Sequence, residues 1–225
     1  MIDEPSALED VPERARVGPY ALGEILGRGG MGVVYRATDP EGQEVALKML
    51  LSTGIRTRAE RARFEREAQI RIDHANVIQV RGAGVDEDQP WIAFELLVGE
   101  SLSERLARGR LETAEVLRFG IAAAEGLAAA HAAQVVHRDL KPSNLFVCED
   151  GTLKIIDFGI ARLDGDRTRL TATGNVLGTP TYLSPEQANG ASTLDARTDV
   201  WSLGIVLHEA AAGRSPFERS MALAT

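Results

Sequence analysis

Residues 137–144 read His-Arg-Asp-Leu-Lys-Pro-Ser-Asn, and this short polar stretch constrains the chain more than any other. Asp139 and Asn144 lie five apart, with Lys141 between them. Pro142 has no N–H and a fixed φ, and it restricts the residue before it, so the segment is a loop rather than a helix interior. The apolar run Leu145-Phe146-Val147 that follows reads as a short strand. Thirteen residues after Asn144 stands Asp157-Phe158-Gly159, behind a second apolar strand, Leu153 to Ile156. Two strand-anchored loops, each carrying an acid, can present a base, a cation and an amide oxygen to one point. They can also hold a divalent cation between them. Phosphoryl transfer needs that arrangement, because positioning and charge neutralisation supply most of its catalysis.

A lone Arg-Asp dipeptide would be no more than a polar turn between strands. The eight-residue stretch with Asp-Phe-Gly at this spacing resembles the catalytic loop and metal-binding motif of protein kinases. The resemblance implies that Asp139 orients a substrate hydroxyl and accepts its proton. Lys141 would stabilise the transferring phosphoryl, and Asn144 and Asp157 would hold Mg²⁺, with Mn²⁺ as an alternative. Lys141, two after Asp139, matches Ser/Thr rather than Tyr kinases.

Further upstream, Tyr20 to Leu26 alternates as a strand and runs into Gly27-Arg28-Gly29-Gly30-Met31-Gly32. Such a glycine pattern serves dinucleotide-binding folds as well as kinases. A dinucleotide site needs a helix to start in the glycine run. Here Val33-Val34-Tyr35 follows, β-branched and aromatic, which favours a second strand. A strand–glycine turn–strand flap lets backbone N–H groups approach phosphates. It resembles the kinase glycine-rich loop through Gly27, Gly29, Gly32 and Val34, and the resemblance makes Arg28, Gly30 and Met31 part of the ATP site. Lys48, on the apolar strand Gln43 to Leu50, matches the lysine that holds the α- and β-phosphates and pairs with a helix glutamate. The charged helix Arg58 to Ile72 offers Glu67 for that pairing. Counting back from His74 would choose Glu65 instead, about 200° away around a helix of 3.6 residues per turn.

By the same resemblance, Phe94 backs the adenine pocket and Glu95 to Leu97 form the hinge whose backbone meets the adenine edge. Val34 and Ala46 cover the adenine from above and Phe146 from below. Ser101 with Glu104 has capping-box spacing. Thr113 to Ala133 reads as a long, Ala-rich packed helix, with His131, like His208, packed or facing solvent. Between Asp157 and Ser184-Pro185-Glu186, Thr171 and Thr173 are candidate phosphorylation sites that the Arg138 cation could dock. The segment Tyr182 to Ala188 resembles bacterial kinases. Asp199 is expected to accept backbone hydrogen bonds from the catalytic loop, as a structural group.

The expected fold class is α+β, bilobal and protein-kinase-like. Residues 1–17 read as a mobile acidic leader, 18–97 as a β-rich N-lobe with its hinge, and 98–225 as a mainly helical C-lobe. The last C-lobe helices are expected to be missing. That would expose the apolar helix Val200 to Ala212 and strand Glu186 without its arginine. Composition narrows the partners. A charge of −8 and pI near 5.1 argue against a nucleic-acid surface. A single cysteine, Cys148, makes no internal disulfide. No stretch approaches 18 uncharged apolar residues, so a cytoplasmic location is expected, with an anchor beyond residue 225 left open. The expected function is a protein Ser/Thr kinase acting on protein substrates and on itself by self-association, with ATP and Mg²⁺. The alternative is a weak or inactive pseudokinase-like nucleotide-binding module. A dinucleotide-binding enzyme is a distant third.

Overall fold

Alternation builds the first layer. Val33, Tyr35 and Ala37 are buried, while Val34 and Arg36 between them are half-exposed, the period-two pattern of a strand with unlike faces. The computed structural model describes residues 16–29, 32–50, 64, 71–158, 180–191 and 193–217. Six antiparallel strands form its first sheet: β1 (Arg16–Val17), β2 (Tyr20–Gly29), β3 (Gly32–Thr38), β4 (Glu44–Leu50), β5 (Val80–Asp86) and β6 (Gln89–Glu95). Their spatial order is β1-β2-β3-β4-β6-β5. The sheet begins at Arg16, inside the stretch read as leader, because Val17 is fully buried. One face carries the cluster of Val17, Tyr20, Tyr35, Leu47 and Trp91. The other carries Leu50, Phe64, Ile92 and Phe94, with Ala46 packed against them. Lys48 pairs across the ladder with Val34 and Ile92, so it stands in the middle of the sheet. Gly32 belongs where the flap returns, since a Cβ there would sit 2.1 Å from the Met49 carbonyl oxygen.

The second half is mostly helical. A three-stranded sheet orders β7 (Gly99–Ser101), β8 (Leu145–Cys148) and β9 (Leu153–Ile155). The helices are α1 (Leu102–Leu106), α2 (Thr113–Ala132), α3 (Pro185–Ala188) and α4 (Ala196–Ala212). Ser101 caps α1 as its spacing predicts. Its hydroxyl accepts from the Glu104 N–H, and the Glu104 carboxylate accepts from the Ser101 N–H at 2.7 Å. The α2 helix packs by its small residues, with Ala123, Gly126 and Ala130 on its buried side. This core also takes in Leu127, Leu145, Ile155, Phe158, Leu203 and Val206. On α4, Val200 and Trp201 face outward, with Trp201 stacked on Phe217 at 6.2 Å. Among the described residues, no helix is long and apolar enough to cross a membrane.

The chain entering β5 is tied to the helical half. Val77 makes a parallel bridge to Ile155, the Ile78 N–H donates to Ile155 O at 3.0 Å, and Ile155 N–H donates to Asn76 O at 2.8 Å. The Asn76 side-chain amide adds a bond to Leu153 O at 2.7 Å. Gly126 permits this tie, because a Cβ there would lie 2.8 Å from Asn76 O. Gly126→Val should therefore cost about 1–3 kcal/mol of stability by overpacking. Urea unfolding is the check, and a change smaller than about 0.5 kcal/mol would show that α2 can simply back away.

Candidate active site

The site is built on a carboxylate inside the protein. Asp199, on the first turn of α4, is fully buried. Its Oδ2 accepts the His137 N–H and its Oδ1 the Arg138 N–H, both at 2.8 Å. These are the backbone bonds expected of it. A third donor comes from α2: His131 Nε2 lies 2.7 Å from Asp199 Oδ2. A carboxylate oxygen accepts only, so Nε2 carries the proton. Arg138 itself has φ 66, a left-handed conformation rare for a residue with a Cβ.

His137 is buried and neutral in effect. Burial pushes its pKa down, against the Ile156 carbonyl bond and the charges of Asp199, Asp139 and Asp157. Its Nδ1 accepts the Asp139 N–H at 3.2 Å, so Nε2 is the protonated nitrogen and donates to Ile156 O at 2.9 Å. One imidazole thus links the backbone of the catalytic-loop candidate to the residue before Asp157. The Phe158 ring packs on it, 4.9 Å between centroids.

Asp139 presents its carboxylate beside Lys141, whose Nζ donates to Oδ2 at 3.0 Å. Pro142–Asn144 forms a 3-10 turn, which swings Asn144 back under Asp139. The Asn144 amide nitrogen donates to Asp139 O at 2.7 Å, which leaves the amide oxygen as the atom to offer a cation. Ile156 N–H donates to Asn144 O at 2.9 Å, so the two acid-bearing loops are stitched together. The donor pair of Asn144 amide oxygen and Asp157 carboxylate is hard and oxygen-only, the chemistry that suits Mg²⁺ with phosphates and waters completing its shell.

Lys48 reaches across to this point. Its Nζ is 2.6 Å from Asp157 Oδ1, although Lys48 is buried and the Asp157 side chain is 39% exposed. Asp157, like Arg138, has a left-handed φ, 57. Gly27, Arg28 and Gly29 pair with Val34, Val33 and Gly32, so the strand–glycine–strand flap is present. Val34 is half-buried on the returning strand of that flap and Ala46 on the strand beside it. Phe94 is buried, and Glu95, Leu97 and Phe146 are half-buried. Glu95 is pinned by its own side chain: Oε1 accepts the Gln79 N–H at 2.9 Å and Lys154 Nζ at 2.7 Å.

Gly30, Met31, Glu65, Glu67, Thr171 and Thr173 lie outside the described residues. Among the described residues, the carboxylate on Lys48 is that of Asp157. Glu186 corrects an expectation. It is half-exposed and accepts from Thr198 Oγ1 at 2.7 Å, the bond that chiefly lowers its pKa, so it is not a stranded buried charge. The sequence reading placed His131 as merely packed or solvent-facing. Its lack of a neighbour in sequence hid a partner 68 residues away.

Protonating His137 would put a second N–H where Nδ1 now accepts from Asp139. With its folded pKa lowered, the unfolded chain binds this proton first, so stability is whole above the ordinary value of 6.5 and lost as pH falls below it. Wild-type unfolding free energy should drop from pH 6.5 downward, and less steeply in His137→Gln. Parallel pH profiles from denaturant titrations would contradict the assignment.

Comparison with known proteins agrees with this geometry. The model of the protein kinase domain family matches residues 20–224. A probable serine/threonine-protein kinase of Streptomyces coelicolor is 42% identical over 209 residues, covering 89% of this chain and 31% of its own length. PknB of Mycobacterium leprae, a serine/threonine-protein kinase, is 38% identical over 206 residues, 88% of this chain and 33% of its own. The chain thus spans about a third of the length of these curated relatives. The solved kinase domain of PknI from Mycobacterium tuberculosis superposes with a TM-score of 0.70 at 28% identity, covering 88% of this chain and 76% of that one. With its β-rich half, its helical half and the loops between them, the chain has the α+β kinase fold and belongs to the protein kinase domain family.

Proposed function

We propose that this chain transfers the γ-phosphoryl of ATP to Ser or Thr hydroxyls of protein substrates, itself included, with residues 18–97 as N-lobe and hinge and 98–225 as C-lobe. The observation that carries the reading is the Lys48–Asp157 contact at 2.6 Å, which brings a buried ammonium of the sheet against the acid beside Asn144. An ammonium has three donors, so Lys48 can keep Asp157 and still turn toward phosphate oxygens. Asp139 orients the attacking hydroxyl and takes its proton, while Lys141 beside it offsets negative charge on the group in transfer. Asn144 and Asp157 would hold a divalent cation, whose charge neutralises the phosphates when bound. The flap of Gly27 to Gly32, with Val34, Ala46, Leu97 and Phe146, would enclose the nucleotide. Glu95 would set the hinge backbone at the adenine edge. Relatives described as serine/threonine-protein kinases support this choice of acceptor.

A nucleotide-binding module without catalysis is separated from this reading by one assay on the purified chain, ³²P transfer from γ-labelled ATP. Asp139→Asn should still bind ATP and lose about 10²–10⁴-fold in turnover, the usual worth of a positioned base. Lys48→Met should lose both ATP use and turnover, and charge reversal at Glu67 should mimic it where reversal at Glu65 does not. Wild-type and Asp139→Asn chains with equal transfer would remove Asp139 from the chemistry. Thr171 and Thr173 are the residues we assign to self-phosphorylation, since each phosphate brings a charge of about −1.5 to −2 for the exposed Arg138 to dock. Phosphopeptide mapping of an active preparation should find at least one of them modified; finding neither would reject the assignment.

A further inference from the structure

We propose that Gln187 is a positioning residue for Asp139. Its side-chain amide holds the Arg138 carbonyl and so orients the peptide plane that leads into Asp139. The inference rests on the kinase reading for its catalytic consequence and on geometry alone for the contact.

Gln187 lies on the short helix α3, is 1% exposed, and reaches out of its own helix: Nε2 donates to Arg138 O at 2.7 Å. The amide cannot be turned the other way, because Oε1 accepts the Ser184 N–H at 3.1 Å. The Gln187 N–H in turn donates to Ser184 Oγ at 3.3 Å, which completes a capping box at the backbone, while the side chain itself is held by the Ser184 N–H, a bond that needs no hydroxyl. At the far end, Arg138 O shares a peptide plane with the Asp139 N–H. That N–H donates to His137 Nδ1 at 3.2 Å. The plane is therefore gripped at its oxygen by Gln187 and at its hydrogen by His137. Arg138 N–H is gripped separately, by Asp199 Oδ1. A residue with a Cβ at φ 66 relaxes toward negative φ unless its surroundings hold it, and these contacts hold it at both ends. Without Gln187, only one edge of the last peptide before Asp139 stays fixed, and the carboxylate loses its aim while remaining in the cleft.

Capping alone would accept glutamate at this position equally well. Glutamate has no donor for Arg138 O and would set a negative charge against a carbonyl oxygen. Glutamine is thus required by the contact with the catalytic loop rather than by the helix it caps. Two substitutions separate the roles. Gln187→Glu keeps the cap acceptor and removes the donor. Ser184→Ala removes the cap hydroxyl and leaves the donor.

The experiment measures, on the whole chain, backbone hydrogen exchange at Asp139 together with kcat and KM for ATP. Gln187→Glu should speed exchange of the Asp139 amide about tenfold, the size of one net hydrogen bond. It should lower kcat by about the same factor while KM for ATP stays within about twofold. Ser184→Ala should lower the melting temperature and move neither quantity. If Gln187→Glu does not fold, Gln187→Met read against Ser184→Ala gives the comparison, since each loses one of the two capping-box bonds and only the former loses the donor to Arg138 O. Unchanged Asp139 exchange overturns the proposal, as does a fall in kcat that Ser184→Ala reproduces. A wild-type chain with no phosphoryl transfer refutes the kinase reading instead, and the exchange measurement still decides the contact.

Discussion

Everything around the cleft depends on a buried negative charge, the carboxylate of Asp199. A lone carboxylate in such a place costs several kcal/mol, and it is tolerated only when hydrogen bonds replace the lost water. Three donors do this: the His137 and Arg138 N–H groups and the His131 ring. Two of them exist only if the loop before Asp139 is bent into its left-handed form at Arg138. Helix α4 and the catalytic-loop candidate are therefore conditional on one another. The cost of an unsatisfied charge on one side holds a disfavoured backbone on the other, and Asp139 follows directly from that loop.

Among the described residues, the two halves of the molecule meet through connections of unlike kind. Main-chain bonds fasten Asn76 and Ile78 to Ile155 and are backed by the close packing of Gly126, so this joint is rigid. Glu95 shares one carboxylate oxygen between the Gln79 N–H and Lys154, which fixes the direction in which the chain leaves the sheet. Lys48 and Asp157 span the cleft itself, and here one partner is open to solvent. On the proposed reading, incoming phosphates and a cation would compete for that pair without disturbing the other connections.

Much of this was legible in the chain because chemistry and spacing lie close together in it. Asp139, Lys141 and Asn144 fall within six residues, and Pro142 forces the turn that lets Asn144 fold back on the Asp139 carbonyl. The β-branched and aromatic residues Val33, Val34 and Tyr35 announced a strand after the glycine run, and Ser101 with Glu104 announced the start of α1. The contacts that were not legible join residues with no local signal. His131 sits in an alanine-rich helix whose pattern says only that it packs, Thr198 gave no sign that its hydroxyl would meet Glu186, and Val17 joined the sheet from a stretch that reads as charged.

By itself the sequence determined the strand-bound lysine and the two acidic loops, because periodicity, glycine and proline act over a few residues and survive any packing, and the kinase-like architecture followed from the resemblance of those motifs to the family. Only the tertiary structure decided that Asp157 reaches Lys48, which nitrogen of His137 carries the proton, and that Gln187 serves Arg138 as well as its own helix. Those choices turn on hydrogen-bond partners between 19 and 109 residues apart in the chain. Burial selects such partners after the chain has collapsed, when each polar group must find a donor or acceptor among whatever has been brought near.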